Sequence, residues 1–137
     1  MDASVSRRPP TTTLPRRADF LRVAATRKRC ATPGLILQVA PLPDALRAAS
    51  LPLRVGYTAS RKVGKAVARN RAKRRLREVV RKIMPVYARD GLDYVLIARE
   101  ETVARPFDQL LDDLRHALRR LGAERSGAGR GETGETP

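Results

Sequence analysis

Residues 54–81 read RVGYTASRKVGKAVARNRAKRRLREVVR, and the pattern of this stretch decides the fold. Leu53, Val55 and Tyr57 alternate with Arg54, Gly56 and Thr58. That period of two marks a strand with one buried face. A Ser-Arg-Lys loop with Gly64 comes next. From Val67 to Ile83 the chain has no Gly or Pro and is rich in Arg, Ala and Leu, which predicts a helix that Pro85 stops. Ala68, Ala72, Leu76, Val79, Val80 and Ile83 fall on one stripe of it. Asn70, Arg74, Arg77 and Arg81 fall on another. The apolar stripe belongs on a sheet, and the cationic one faces outward.

The pattern continues on both sides. Upstream, Leu35 to Ala40 (LILQVA) is an apolar run of strand length, set off by Thr32, Pro33 and Gly34. Pro41, Pro43 and the stretch to Pro52 form a loop with a turn of helix around Asp44 to Ala49. From Arg16 to about Ala25, Phe20, Leu21 and Ala24 recur at helical spacing and predict a short amphipathic helix. Residues 1–13 form a flexible basic arm. Downstream, Tyr94 to Ala98 (YVLIA) reads as a central strand. Pro106 suits a first helical position, and Phe107, Leu110, Leu111, Leu114, Leu118 and Leu121 give a final helix that Gly122 can end. Residues 122–137 are Gly-rich and polar and read as a disordered tail. The order of helix, strands, helix, strand and helix predicts one α+β domain over 14–121, a small sheet packed by helices.

Composition narrows the function. The chain has 137 residues and a formal charge of +15. Residues 54–82 hold twelve basic groups and one acid, and residues 1–30 hold eight basic and two acidic groups. Charge this concentrated is a site rather than a solubility device. No stretch approaches the ~20 apolar residues of a membrane span. The N-terminus has no apolar segment of a secretory signal, so a cytoplasmic location is expected. One cysteine, Cys30, and one histidine, His116, exclude a Cys-based zinc cluster, an intramolecular disulfide and a His-pair mechanism. Cys30 follows Arg27, Lys28 and Arg29 and reads as incidental; His116 reads as a surface residue.

The partner implied is a polyanion. Crowded cations on one helix repel each other, and phosphates remove that repulsion while filling the guanidinium forks. Asn70 is the neutral residue of the run, suited to a phosphate, a base edge or a 2′-hydroxyl, or simply to solvent. A protein nuclease needs clustered carboxylates or a positioned histidine. The basic segment offers only Glu78, held by neighbouring arginines, and the Asp112-Asp113 pair reads as a solvated helix face. Catalytic and metal-ligating residues are therefore not expected in this chain. A DNA-groove helix fits poorly because Arg and Lys at nearly every outward position suit phosphates better than base readout. A membrane-surface helix fits less well still, since its apolar stripe is needed by the core.

The run SRKVGKAVARNRAKRRLRE, centred on Arg69-Asn70-Arg71, resembles the signature of the bacterial ribonuclease P protein subunit. Leu14, Arg16, Arg17, Asp19 and Phe20 are similar to that family's N-terminal element, Asp93 to Arg99 to its last strand, and Phe107 to Leu121 to its last helix. The resemblance implies a fold like domain 2 of ribosomal protein S5, with a left-handed βαβ crossover. It implies a protein that pairs, one per RNA, with a catalytic RNA that removes the 5′ leader of precursor tRNA, while the Mg²⁺ ions are bound mainly by the RNA. The protein would broaden the substrate range and lower the Mg²⁺ requirement. By the resemblance, Arg61, Lys62, Lys65, Arg69, Asn70, Arg71, Lys73, Arg74 and Arg75 contact the catalytic RNA. A cleft between the first helix and the sheet takes the single-stranded leader, with Arg17, Phe20, Arg54 and Tyr57 as its residues. From pattern alone Phe20 reads as core, and Tyr57 fits either core or cleft. Ala24 and Gln38 stand where family members often carry aromatics, which shifts weight from stacking to Arg17 and Arg54. The alternative reading is a structural RNA-binding protein of the ribosome.

Overall fold

The computed structural model describes residues 12–49 and 53–125. The two ends expected to be flexible, 1–11 and 126–137, lie outside the described residues. The folded part is wider than 14–121 at both ends. Thr12–Thr13 is a short strand β1, and Ala123 is fully buried, with its carbonyl accepting from the Arg89 N–H at 2.8 Å.

The remaining elements are α1 (Arg17–Ala25), β2 (Arg29–Ala31), β3 (Leu35–Pro41), α2 (Asp44–Ala48), β4 (Leu53–Ala59), α3 (Ala66–Tyr87), β5 (Leu92–Ala98) and α4 (Phe107–Arg120). Single 3₁₀ turns cover Arg61–Val63 and Glu100–Thr102. The five strands lie in the order β1-β4-β5-β3-β2. β1, β4 and β5 are mutually parallel, whereas β3 is antiparallel to β5 and to β2. The fold is thus α+β, and β4–α3–β5 is a crossover unit between parallel neighbours. Its helix is the one the sequence marks most strongly.

Two layers cover the sheet. On one face α3 and α4 close the main core, with Ala72, Leu76, Val79, Val80 and Ile83 of α3 buried as their spacing predicts. Leu35, Leu37, Val39, Val55, Tyr94 and Leu96 meet them from the sheet. On the other face α1 lies over β3 and β5 with a smaller core of Leu14, Val23, Ala40 and Val95, and Phe20 and Ile97 packed against it. The second layer changes the reading of β4. Arg54 and Gly56, which alternate as if solvated, are buried too, because α1 and Leu14 sit on that side. Gly56 permits the approach: a Cβ there would stand 2.5 Å from Phe20 Cζ.

Two helix details differ from expectation. α3 runs through Pro85 to Tyr87 rather than stopping at it. A proline here gives up the N–H that would bond to the Arg81 carbonyl and crowds that carbonyl, and the turn beyond it is still closed by the Ala88 N–H donating to the Met84 carbonyl at 3.1 Å. α1 buries Val23 completely and Phe20 partly, while Leu21 is 57 % exposed and Ala24 is exposed. The side of α1 that meets the sheet is instead shared by Phe20 and Val23 with the ion-paired Asp19 and Arg22. α4 ends as expected, with Gly122 at a φ of 68°, the left-handed region where glycine carries no Cβ penalty.

Candidate nucleic-acid interface

α3 and the loop before it build a continuous cationic surface. Arg61, Lys62, Lys65, Asn70, Arg71 and Arg74 are exposed. Arg74 lies four residues after Asn70 and three after Arg71, so the three cluster on one helix face, which Arg77, Glu78 and Arg81 extend. Asn70, Arg71 and Arg74 have no hydrogen-bond or ion-pair partner among the described residues. Glu78, the one acid on this face, is paired with Arg81, as the flanking charges suggest. Val67, 71 % exposed, heads the same stripe. Nothing in its apolar character marks it in the sequence as an outward residue.

Other members of the predicted set hold the surface in shape. Arg69 is half-buried and its Nη1 donates to the Gly64 carbonyl at 2.8 Å, tying the loop to the helix. Lys73 is half-buried. Arg75 points inward: its Nη1 donates to the carbonyls of Thr102, Val103 and Arg105 at 2.7–2.8 Å, and its guanidinium lies 5.9 Å from the Phe107 ring. It satisfies the carbonyls of the turn before α4, a structural task rather than an open RNA contact.

The predicted cleft residues separate. Arg17 is exposed on the first turn of α1, and Phe20 is half-buried on the same helix. Arg54 is not available to a ligand, being 5 % exposed beneath α1. Its Nε and Nη2 donate to the fully buried Asp93 at 2.8 Å each, and its Nη2 also reaches Asp19 at 3.2 Å. Arg22 completes the set by pairing with Asp93. Hydrogen bonding to Asp93 holds the Arg54 guanidinium more firmly protonated, outweighing its burial. Two arginines and two aspartates thus lock α1 to the sheet. Tyr57 lies on the opposite sheet face, packed against the main core, with the Arg77 guanidinium 5.2 Å from its ring centroid. It supports the α3 surface and not the α1 side, because β4 alternates faces.

Burial pushes the Tyr57 phenol up to about 12, with the Arg77 and Arg81 charges acting the other way. The unfolded phenol ionises at 10.0, so the stability it contributes is complete below pH 10.0 and is lost as pH rises towards 12. Tyr57→Phe is expected to flatten the stability profile between those values, read by denaturant unfolding across pH. An unchanged slope would refute the assignment.

An opening at the end of the sheet where β4 and β5 finish was partly hidden in the sequence. A concavity of about 500 Å³ has Ile36 and Ile97 in its lining, with Ser60, Lys62, Arg99, Glu100 and Glu101. Ile36 and Ile97 are cross-strand partners on the α1 face. Runs such as LILQVA are apolar on both faces, so the pattern does not reveal which residues stay open. Asp113 also departs from expectation. It is 6 % exposed, pairs with Arg105 at 2.6 Å and accepts from the Gly34 N–H at 3.1 Å, while Asp112 is exposed. His116 is exposed as expected. Among the described residues no group of three or more His, Cys, Asp or Glu side chains could hold a metal ion. The donors on the α3 surface are ammonium, guanidinium and amide groups, which do not fit a resident cation. No helix among the described residues is long and apolar enough to cross a membrane.

The family model for ribonuclease P matches residues 9–122. The chain belongs to the ribonuclease P protein family. It is 59 % identical over 111 residues to the ribonuclease P protein component of Paramagnetospirillum magneticum, covering 80 % of this chain and 82 % of that one. It is 54 % identical over 111 residues to that of Ruegeria pomeroyi, covering 80 % and 86 %. Among solved structures, the RNase P protein from Thermotoga maritima superposes with a TM-score of 0.64 at 28 % identity, covering 79 % of this chain and 96 % of that one. The Staphylococcus aureus RNase P protein shares the fold, with a TM-score of 0.65 at 23 % identity, covering 82 % and 97 %. Ribonuclease P family membership makes this chain the protein component of a tRNA-processing endoribonuclease that works as a ribonucleoprotein with its RNA.

Proposed function

We propose that the α3 surface binds the catalytic RNA of ribonuclease P and that the α1 side of the sheet receives the 5′ leader of precursor tRNA. The observation that carries the first half is the outward stripe of Asn70, Arg71 and Arg74, cationic and without internal partners. Guanidinium groups on phosphates release condensed counterions, so binding weakens with salt by a log–log slope of about 0.7–0.9 per phosphate covered. Covering phosphates also lowers the Coulomb cost of bringing two RNAs together. That is how this chain reduces the Mg²⁺ requirement and widens the substrate range, one protein acting per RNA. Hydrolysis of the phosphodiester then belongs to the RNA and its Mg²⁺; the chain's own side chains bind and orient.

The leader half rests on Phe20 and Arg17 of α1 and on Ile97, which packs with Phe20 against the minor core and also lines the concavity at that end of the sheet. Phe20 keeps part of its ring exposed while its other side covers Gly56. An exposed ring stacks a base at about 1–3 kcal/mol. The substitutions at Ala24 and Gln38 leave Ile97 and Arg17 to do more of the holding.

The test is reconstitution with the cognate RNA and labelled precursor tRNA at low Mg²⁺. Stimulated leader removal is expected, and no stimulation over RNA alone would refute the reading. In the same assay Phe20→Ala should weaken binding of a long-leader substrate about 5- to 100-fold, as loss of one stacked base implies. A substrate with a one-nucleotide leader should change little. Equal losses on both substrates would mean that Phe20 serves only the minor core.

A further inference from the structure

A third group of cations belongs to neither surface above. Arg27, Lys28 and Arg29 lead into β2, which is the edge strand of the sheet opposite β1. The Val39 N–H donates to the Lys28 carbonyl at 3.1 Å and the Thr32 N–H to the Leu35 carbonyl at 2.8 Å. In an antiparallel pair the bonded positions alternate. Positions 28, 30 and 32 therefore bond to β3, and the backbone groups of Arg29 and Ala31 face outward. A concavity of about 400 Å³ opens along this edge, lined by Arg29, Cys30 and Ala31 and by His116, Arg120 and Leu121 from the end of α4. No carboxylate lines it. Neither Arg29 nor Arg120 has an ion-pair partner among the described residues.

These features select an anion. The outward N–H groups, the two guanidiniums and one imidazole nitrogen can donate, the only full charges lining the concavity are the two guanidiniums, and the fork of a guanidinium matches the oxygens of a phosphate. A second β-strand is the competing occupant of a free edge. Three residues flanked by cations make a poor template for strand addition. We propose that the β2 edge and the C-terminal end of α4 form a separate RNA-binding site that seats a backbone phosphate. The proposal deepens the RNA-binding reading above and places a contact where the α3 stripe does not reach. A phosphate of the catalytic RNA and one of the precursor tRNA share this chemistry, so both are measured.

The experiment uses the full chain carrying Arg29→Glu and Arg120→Glu together. Binding is measured against salt in two arms, to the catalytic RNA and, in the assembled particle, to precursor tRNA. Hydroxyl-radical footprints are taken in each. The expected result is an affinity loss of at least about tenfold in one arm, with a salt slope shallower by about one to two phosphates. One local protection should disappear while the others persist. The arm that changes identifies which RNA is held. Unchanged affinity in both arms, or a general weakening with every protection retained, would overturn the site. Strand exchange or dimerisation through the edge would likewise overturn it. A parallel Arg71→Ala arm separates the two failures. If that variant also binds normally, the RNA-binding reading of α3 has failed; if it alone weakens, only the β2-edge site has.

Discussion

Reversing the charge at Arg71 and Arg74 together is expected to weaken binding to the catalytic RNA by on the order of a thousandfold while leaving the fold intact. Both side chains are exposed and lack internal partners, so their removal breaks no contact within the domain. Each lost charge-assisted hydrogen bond costs about 1.5–3 kcal/mol, and every 1.4 kcal/mol is about tenfold in affinity. The salt slope should become shallower by about 1.4–1.8, corresponding to two phosphates. Stability should hold or rise slightly, because like charges three and four residues apart on one helix oppose folding. Binding by filter retention at several salt concentrations and melting by circular dichroism read the two effects separately. A large fall in melting temperature with the affinity loss would make the stripe a structural feature. Arg75→Ala provides the contrast. Its guanidinium caps three carbonyls, so its loss should appear first in stability and only secondarily in RNA binding.

How far the sequence led depended on whether a residue's surroundings are local. α3 is legible because periodicity within one helix separates Leu76 and Val80 from Arg71 and Arg74 without reference to anything else. The signature around Asn70 is legible for the same reason: its residues sit next to one another on the chain. The α1 side was harder. Arg54 and Asp93 are 39 residues apart, and only the parallel register of β4 with β5 brings them opposite each other. An arginine in an alternating strand looks solvated until a helix is placed over it. Tyr57 fails in the complementary way. Its face is fixed by Val55 and Leu53 packing on α3, which excludes it from the α1 side, yet a lone tyrosine carries no mark of which layer it meets. Asp113 and the Ile36–Ile97 floor are similar cases, set by pairings between distant segments. β2 is three residues long and too short to show a period. Its role as an edge, with Arg29 and Ala31 facing outward, exists only once β3 is paired.

Asp93→Asn is expected to have the largest effect on stability of any single exposed-to-buried comparison in this domain. Asp93 is fully buried, and it accepts from Arg54 and Arg22 while Arg54 also holds Asp19. Removing the carboxylate's charge, and one of its two acceptor oxygens, leaves Asp19 at 3.2 Å as the counter-charge of the Arg54 guanidinium, itself 5 % exposed. Breaking one partner out of a buried ion pair costs about 3–5 kcal/mol, which for a domain of this size lowers the melting temperature by on the order of 10 °C or more. Asp44→Asn is the control, since the Asp44–Arg47 pair on α2 is largely exposed and should change stability by less than about 1 kcal/mol. Replacing Arg54 by Met and Asp93 by Leu together should recover part of the loss, because both charges then leave the interior at once. The functional consequence follows from what the network holds. Asp19 and Arg22 belong to α1, which also carries Arg17 and Phe20. A loosened α1 shifts Arg17 and Phe20 without touching the α3 stripe. At temperatures where Asp93→Asn remains folded, binding to the catalytic RNA should therefore persist while the preference for long leaders over a one-nucleotide leader declines. Retained leader preference in a folded variant would separate the ion network from leader binding; parallel losses in both would place Asp93 in the stability of the whole domain alone.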